Sequence, residues 1–175
     1  MLLPGQEKTL KVSSLKAAAV DVAQMFRAVV DSGLKTAESN EANNQFTRSY
    51  LPGRPDFVIG AISFAPDPPL CGRTFAAYVT VRNAGTAVGD AGFLDIWLNE
   101  ATAPGAGSAT HGDKNASVGT LAAGQEKQVK FTSLGTSPSP EERFFRALVN
   151  SRARTVETDD TNNGDLRSYQ CAPAP

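Results

Sequence analysis

From residue 74 to 83 the chain reads TFAAYVTVRN, with Phe75, Ala77, Val79 and Val81 two positions apart. Side chains two apart share a face of a strand, so the stretch predicts a β-strand with one buried side. FLDIWLN (93–99) alternates in the same way, which sets Leu94, Ile96 and Leu98 inward and Asp95 and Trp97 outward. DFVIGAISFA (56–65) is a third apolar run, stopped by PDPP because proline cannot continue a hydrogen-bonded ladder. AGTAVGD turns the chain after residue 83, and the Gly-, Ala- and Ser-rich stretch 101–117 reads as a loop.

One stretch misleads when read alone. KAAAVDVAQMFRAVV (16–30) has the alanines of a helix, yet residues 2–50 align without a gap to residues 121–169, with 20 of 49 positions identical. The counterpart of the alanine-rich run is GTSPSPEERFFRALV, whose two prolines rule out a continuous helix. Phe26, Ala28 and Val30 recur as Phe145, Ala147 and Val149, again at spacing two. The repeat therefore outweighs local propensity and predicts a strand in both copies. Its other shared blocks are GQEK (5–8 and 124–127) and the frame T.E....NN...RSY (36–50 and 155–169).

Short strands with turn residues between them predict an all-β fold, an antiparallel sandwich of immunoglobulin type. The expected layout is a partial repeat at 1–50, a linker at 51–55, a complete sandwich at 56–170 and a tail at 171–175. The opening Pro-Asp and apolar strand, then VTVRNAGTA, then LAAGQEKQVKFT, and a last strand pair closing on ETDDTNN together resemble the cell-adhesion-related domain found in bacteria, CARDB. The resemblance covers 55–169 as a full unit and 2–50 as the last part of another. It implies a seven-stranded sandwich, with the last three strands of a second copy at the N-terminus. It also implies a secreted or surface protein in which such units stand in tandem as scaffolding or adhesion modules, with no catalytic residues.

Composition narrows the chemistry. With 17 basic and 18 acidic residues the net charge is −1, which leaves no electrostatic footprint for nucleic acid or an anionic membrane surface. No apolar run approaches the about 20 residues of a membrane-spanning helix, and MLLPGQEKT lacks a signal-peptide core. One histidine, His111, without partners at ligand or triad spacing reads as a solvated loop residue. No acid–base pair, triad or metal cluster is present to support an enzyme.

Cys71 follows the first strand of the full unit and Cys171 lies just past its last, so both fall at one pole of such a sandwich. That placement fits a disulfide and an oxidising compartment, against two free thiols or a bond to a neighbouring chain. Asn115 in NAS is an N-glycosylation sequon in the expected loop. TSPSP and CAPAP resemble the Ser-Pro and Ala-Pro runs of hydroxyproline-rich glycoproteins, and read equally as a proline-stiffened loop and tail. Tyr78 and Trp97, both expected on outward faces, suit a sugar-stacking platform or an interface.

ETDDTNN itself has two readings. Asp and Asn side chains stabilise tight turns at the end of a hairpin, whereas Glu157, Asp159 and Asp160 form a candidate calcium set, the one cofactor the sequence suggests. The half repeat at 2–50 cannot bury its apolar face alone. It is expected to be the cut end of a longer tandem array, to fold back on its own domain, or to complete a sheet of a neighbouring copy. In the last case the protein assembles head to tail into a filament, with Phe26, Ala28 and Val30 as anchors. A glycan-binding accessory module of a secreted enzyme is the alternative.

Overall fold

The computed structural model describes residues 2–16, 22–102, 107 and 111–174. Its strands, in chain order, are β1 (Gln24–Val29), β2 (Gln45–Tyr50), β3 (Phe57–Ala65), β4 (Thr74–Asn83), β5 (Gly89–Asp90), β6 (Phe93–Leu98), β7 (Lys114–Ser117), β8 (Thr120–Leu121), β9 (Glu126–Gly135), β10 (Arg143–Leu148) and β11 (Gly164–Tyr169). Every ladder between them is antiparallel. The chain divides into two units, Met1–Pro52 and Gly53–Pro175.

In the second unit a three-stranded sheet, β3-β4-β9, and a four-stranded sheet, β11-β10-β6-β7, share one core, and β5 pairs with β8 apart from both. The alternation in the sequence is what builds that core. Phe75, Ala77, Val79 and Val81 enter it from β4, Val129, Phe131 and Leu134 from β9, Leu94 and Ile96 from β6, and Phe145 and Ala147 from β10. Phe64 sits among the rings of Phe75, Phe145 and Tyr169, with centroids 5.1 to 5.4 Å away, and so ties the two sheets together. Such edge-on ring pairs add about 0.5–1.5 kcal/mol each beyond the area they bury.

Two sequence expectations change here. Asp95 and Trp97 do not point into solvent, since they are only 1% and 6% exposed. The chain after β6 returns across that face: the Gly112 N–H donates to Asp95 Oδ1 at 3.0 Å, and Asp113 Oδ2 accepts from the Leu98 N–H at 2.7 Å. Alternation gives the sides of a strand but not whether a later segment covers the second one. The stretch read as a loop also contains β7, which pairs with β6 despite its polar sequence; its residues 103–106 and 108–110 lie outside the described residues.

Among its described residues the first unit holds two strands rather than the expected three. Residues 6–16 form no strand although their counterpart is β9; β9 is held by β4, and among the described residues the first unit shows no strand in that place. Leu10 and Val12 are accordingly 75% and 64% exposed, where Val129 and Phe131 are buried. The hairpin itself repeats position for position at an offset of 119. β1 and β2 have the lengths of β10 and β11, and Gln24 faces Tyr50 as Arg143 faces Tyr169. Left-handed residues recur at Ser14 and Ser133, Asp31 and Asn150, and Leu34 and Ala153. The alanine-rich run is a strand at 24–29, and residues 17–21 lie outside the described residues.

Candidate functional site

The acidic, asparagine-rich stretch is a buried polar corner. Asn150 leaves β10 in the left-handed region at φ 47°, a conformation asparagine tolerates better than most residues. Its Oδ1 accepts from the Arg154 and Thr155 N–H groups at 2.9 and 3.3 Å, and its Nδ2 donates to the Thr155 carbonyl at 2.7 Å. That turn delivers Glu157 inward, to 6% exposure. Glu157 Oε2 accepts from the backbone N–H of Phe57 at the start of β3. Its Oε1 accepts from Asn150 Nδ2 at 2.7 Å and Asn163 Nδ2 at 2.6 Å. One carboxylate therefore joins the first strand of the unit to both sides of the loop in its last hairpin.

Burial pushes the Glu157 carboxyl above its ordinary range, against the pull of those three donors. Asp159 is exposed and held below its ordinary range by the Thr161 hydroxyl and then the Thr161 N–H. A group with a raised folded pKa takes up protons on folding, so the Glu157 contribution to stability falls as pH rises through the carboxylate range. Carboxyl-carbon NMR titration is expected to place the Glu157 midpoint above the ordinary glutamate value and the Asp159 midpoint below the ordinary aspartate value. The reverse order would contradict the burial of Glu157.

A second corner lies beside it. Asn83, fully buried, donates to the carbonyls of Ala87 and Leu121 at 2.8 and 3.0 Å and accepts from the N–H groups of Asp56 and Gly85, both at 3.1 Å. A Cβ at Gly85 would lie 2.4 Å from the Arg54 carbonyl oxygen, so only glycine fits there. Gly53–Pro55, expected as linker, pack into this corner: the Thr86 N–H donates to the Arg54 carbonyl at 3.0 Å and the Thr158 N–H to that of Pro55, also at 3.0 Å. A shallow cleft lined by Arg54, Asn150, Thr155, Glu157, Thr158 and Asp160 opens there.

The structure does not gather the candidate calcium set into one group of ligands. Glu157 turns both oxygens toward N–H donors, Asp159 Oδ1 is taken by Thr161 at 2.6 and 2.9 Å, and Asp160 is exposed. Among the described residues no group of three or more His, Cys, Asp or Glu side chains could hold a metal ion. In the first unit Glu38, the counterpart of Glu157, is exposed, and Asn44 Nδ2 donates instead to Glu41 at 3.0 Å.

Cys71 and Cys171 are joined, closing a loop of 100 residues. The Cys71 N–H donates to the Ala172 carbonyl at 2.8 Å at the same pole. TSPSP lies beside them with Pro138 and Pro140 exposed, and the Thr136 hydroxyl donates to the Leu70 carbonyl at 2.7 Å. Asn115 is exposed on β7, the outer strand of its sheet, and His111 is exposed. Tyr78 is half-buried with Lys130 Nζ 5.3 Å from its ring centre, and it does not share a platform with the buried Trp97. Phe26 and Val30 are 40% and 68% exposed and Ala28 is exposed too, whereas Phe145, Ala147 and Val149 are fully buried. Sequence reading missed Asn83, Asp95 and Asn150; the one signal was the polar residue that ends each strand, repeated at 31 and 150.

The CARDB family model matches residues 54–166. A CARDB domain from Pyrococcus furiosus, solved as a crystal structure in complex with di-metal ions, is 19% identical, with a TM-score of 0.48 over 69% of this chain and 90% of that one. The solution structure of that domain gives the same identity and score over 69% and 95%. A mutant beta-glucosidase from Listeria innocua in complex with laminaribiose is 15% identical, with a TM-score of 0.39 over 73% of this chain and 17% of the enzyme. No curated protein matches the chain.

Proposed function

The chain belongs to the CARDB family, a non-catalytic domain family typical of extracellular proteins, and from that premise we propose that it is a structural module of a surface array or fibril. The disulfide fits an oxidising compartment, and among the described residues no helix is long and apolar enough to cross a membrane. In this reading the Gly53–Pro175 unit is a seven-stranded immunoglobulin-type sandwich and residues 2–50 are the closing part of a second.

One observation carries the proposal. The β1–β2 hairpin has the register and left-handed corners of β10–β11, but among the described residues no further strand pairs with it, and Phe26 and Val30 are exposed where the complete unit buries Phe145 and Val149. An isolated two-stranded hairpin is marginal in water, and a third strand is what makes such a sheet stable. Residues 2–50 are therefore completed by strands from a neighbour, in tandem or end to end, with Phe26, Ala28 and Val30 as the residues that become buried. The glycan-binding alternative loses its support with the burial of Trp97.

Light scattering after size exclusion across a concentration series tests the assembly. The expected result is association that grows with concentration and is abolished by Phe26→Asp, with regular filaments or chains in negative-stain images. A monomer at every concentration would overturn assembly between copies.

A further inference from the structure

Asn163 and Gly164 form the one Asn-Gly pair in the chain. An asparagine before glycine is prone to cyclise on its own backbone, because no Cβ shields the next peptide nitrogen from the side-chain amide carbon. The usual structural reason for the pair, a left-handed hairpin turn, is missing, since neither residue has a positive φ. Space does not require glycine either. A Cβ at Gly164 would lie 3.5 Å from Leu148 Cδ1 and 3.6 Å from the Ala147 carbonyl oxygen, both ordinary contact distances. In the first unit the same place, opposite Val29 as Gly164 is opposite Leu148, is filled by Gln45.

The fold holds this labile pair shut. Asn163 is fully buried, its Nδ2 donates to Glu157 Oε1 at 2.6 Å, and its carbonyl accepts the Val149 N–H at 3.0 Å. Its Oδ1, also buried, has no hydrogen-bond partner among the described residues, so the bond to Glu157 is what restrains the side chain. Cyclisation expels that same Nδ2 as ammonia and the ring then needs water, so both steps call for the corner to open. We propose that Asn163 is a self-modification site gated by Glu157. When the corner opens, the Gly164 nitrogen attacks the Asn163 amide carbon, its proton leaves with the Nδ2 group as ammonia, and a succinimide forms. Water then adds to either ring carbonyl and breaks its bond to nitrogen, which gives aspartate or isoaspartate. The product cannot restore the corner. Its carboxylate brings a second charge to Glu157 in place of a donor, and isoaspartate puts an extra carbon into the backbone at the head of β11.

The test follows the oxidised full chain and a synthetic peptide of residues 158–167, TDDTNNGDLR, side by side in mildly alkaline buffer. Peptide mapping by mass spectrometry reads the conversion, and enzymatic methylation of isoaspartate reads it independently. The expected result is conversion at Asn163 in the peptide, about tenfold or more slower conversion in the native chain, and the peptide rate again in urea. Glu157→Gln, which loosens the corner, is expected to speed the native rate about tenfold and to leave the rate in urea unchanged. Gly164→Ala is expected to slow conversion about tenfold or more in urea while unfolding at the same urea midpoint or a higher one. Converted molecules, separated by their added negative charge, are expected to unfold at a lower urea midpoint. Conversion as fast in the native chain as in the peptide, or no response to Glu157→Gln, would overturn the gating. Conversion mapped to another asparagine would overturn the site, and an unchanged midpoint after conversion would overturn its effect on the corner.

Discussion

Glu157→Ala is expected to lower the unfolding free energy of the Gly53–Pro175 unit by about 3–5 kcal/mol, because it leaves buried neutral donors without an acceptor. The substitution strands three donors at once: the Phe57 N–H and the side-chain amides of Asn150 and Asn163, the last two being 2% and 0% exposed. Unsatisfied buried donors each cost about 1–3 kcal/mol. Glu157→Gln is expected to cost less, about 2 kcal/mol. An amide can keep its oxygen toward the two asparagines, but it then presents its own N–H₂ to the Phe57 N–H. Glu38→Ala supplies the internal control. The same residue in the same repeat is exposed there, so the change is expected to stay within about 0.5 kcal/mol. Urea unfolding followed by circular dichroism measures all three, and equal effects at 157 and 38 would refute the keystone role of Glu157.

Reduction of Cys71–Cys171 is the second large effect. The bond closes 100 residues, nearly the whole second unit, for which the chain-entropy account gives about 4.7 kcal/mol of destabilised unfolded chain. The expected measured loss is about 3–4 kcal/mol, less than that ceiling, because reduced unfolded chains retain some structure. The pole is expected to stay closed on reduction. The Leu70 to Ala172 bridge remains, with the Cys71 N–H on the Ala172 carbonyl and the Ala172 N–H on that of Pro69, both at 2.8 Å. Denaturant midpoints with and without reductant test this, and a Cys71→Ser, Cys171→Ser double variant is expected to match the reduced protein and to ignore reductant. No shift on reduction would mean that the unfolded state gains nothing from opening the loop.

By this reasoning the corner and the pole, rather than the sheets, are expected to carry the most sensitive residues. Sheet ladders are replicated along each strand, so a single substitution there removes one contact among many. Glu157 and the disulfide are each a single link between distant parts of the sequence: residue 57 with 157, and 71 with 171. Their loss is not shared out. The first unit has the hairpin without either link, since Glu38 is exposed and residues 2–50 contain no cysteine.

How much of this is legible in the sequence follows from the range over which each feature acts. Period-two alternation predicts β4 and β6 because neighbouring residues on one strand alone decide it, and TFAAYVTVRN and Thr74–Asn83 coincide. The 119-residue repeat predicts β1 against strong alanine propensity, because a counterpart with prolines reports on the same backbone. The CARDB pattern is legible for the same reason, as an order of local blocks. Strand formation at 6–16 is not legible, since GQEK and its flanks are as good in the first copy as in the second. They become a strand only where β4 stands beside them.

Asp95 and Trp97 fail in the opposite direction, because alternation assigns them a face and the returning segment at 112–113 then covers it. ETDDTNN, a metal set or a corner when read as letters, becomes a corner once the Phe57 N–H arrives from 100 residues away to occupy the carboxylate. By itself the sequence determined which segments extend, which face of each strand is apolar, that one hairpin occurs twice, and the family. Only the tertiary structure decided which faces are covered and which acid is buried. Those outcomes depend on partners far along the chain, and no local pattern encodes whether such a partner is there.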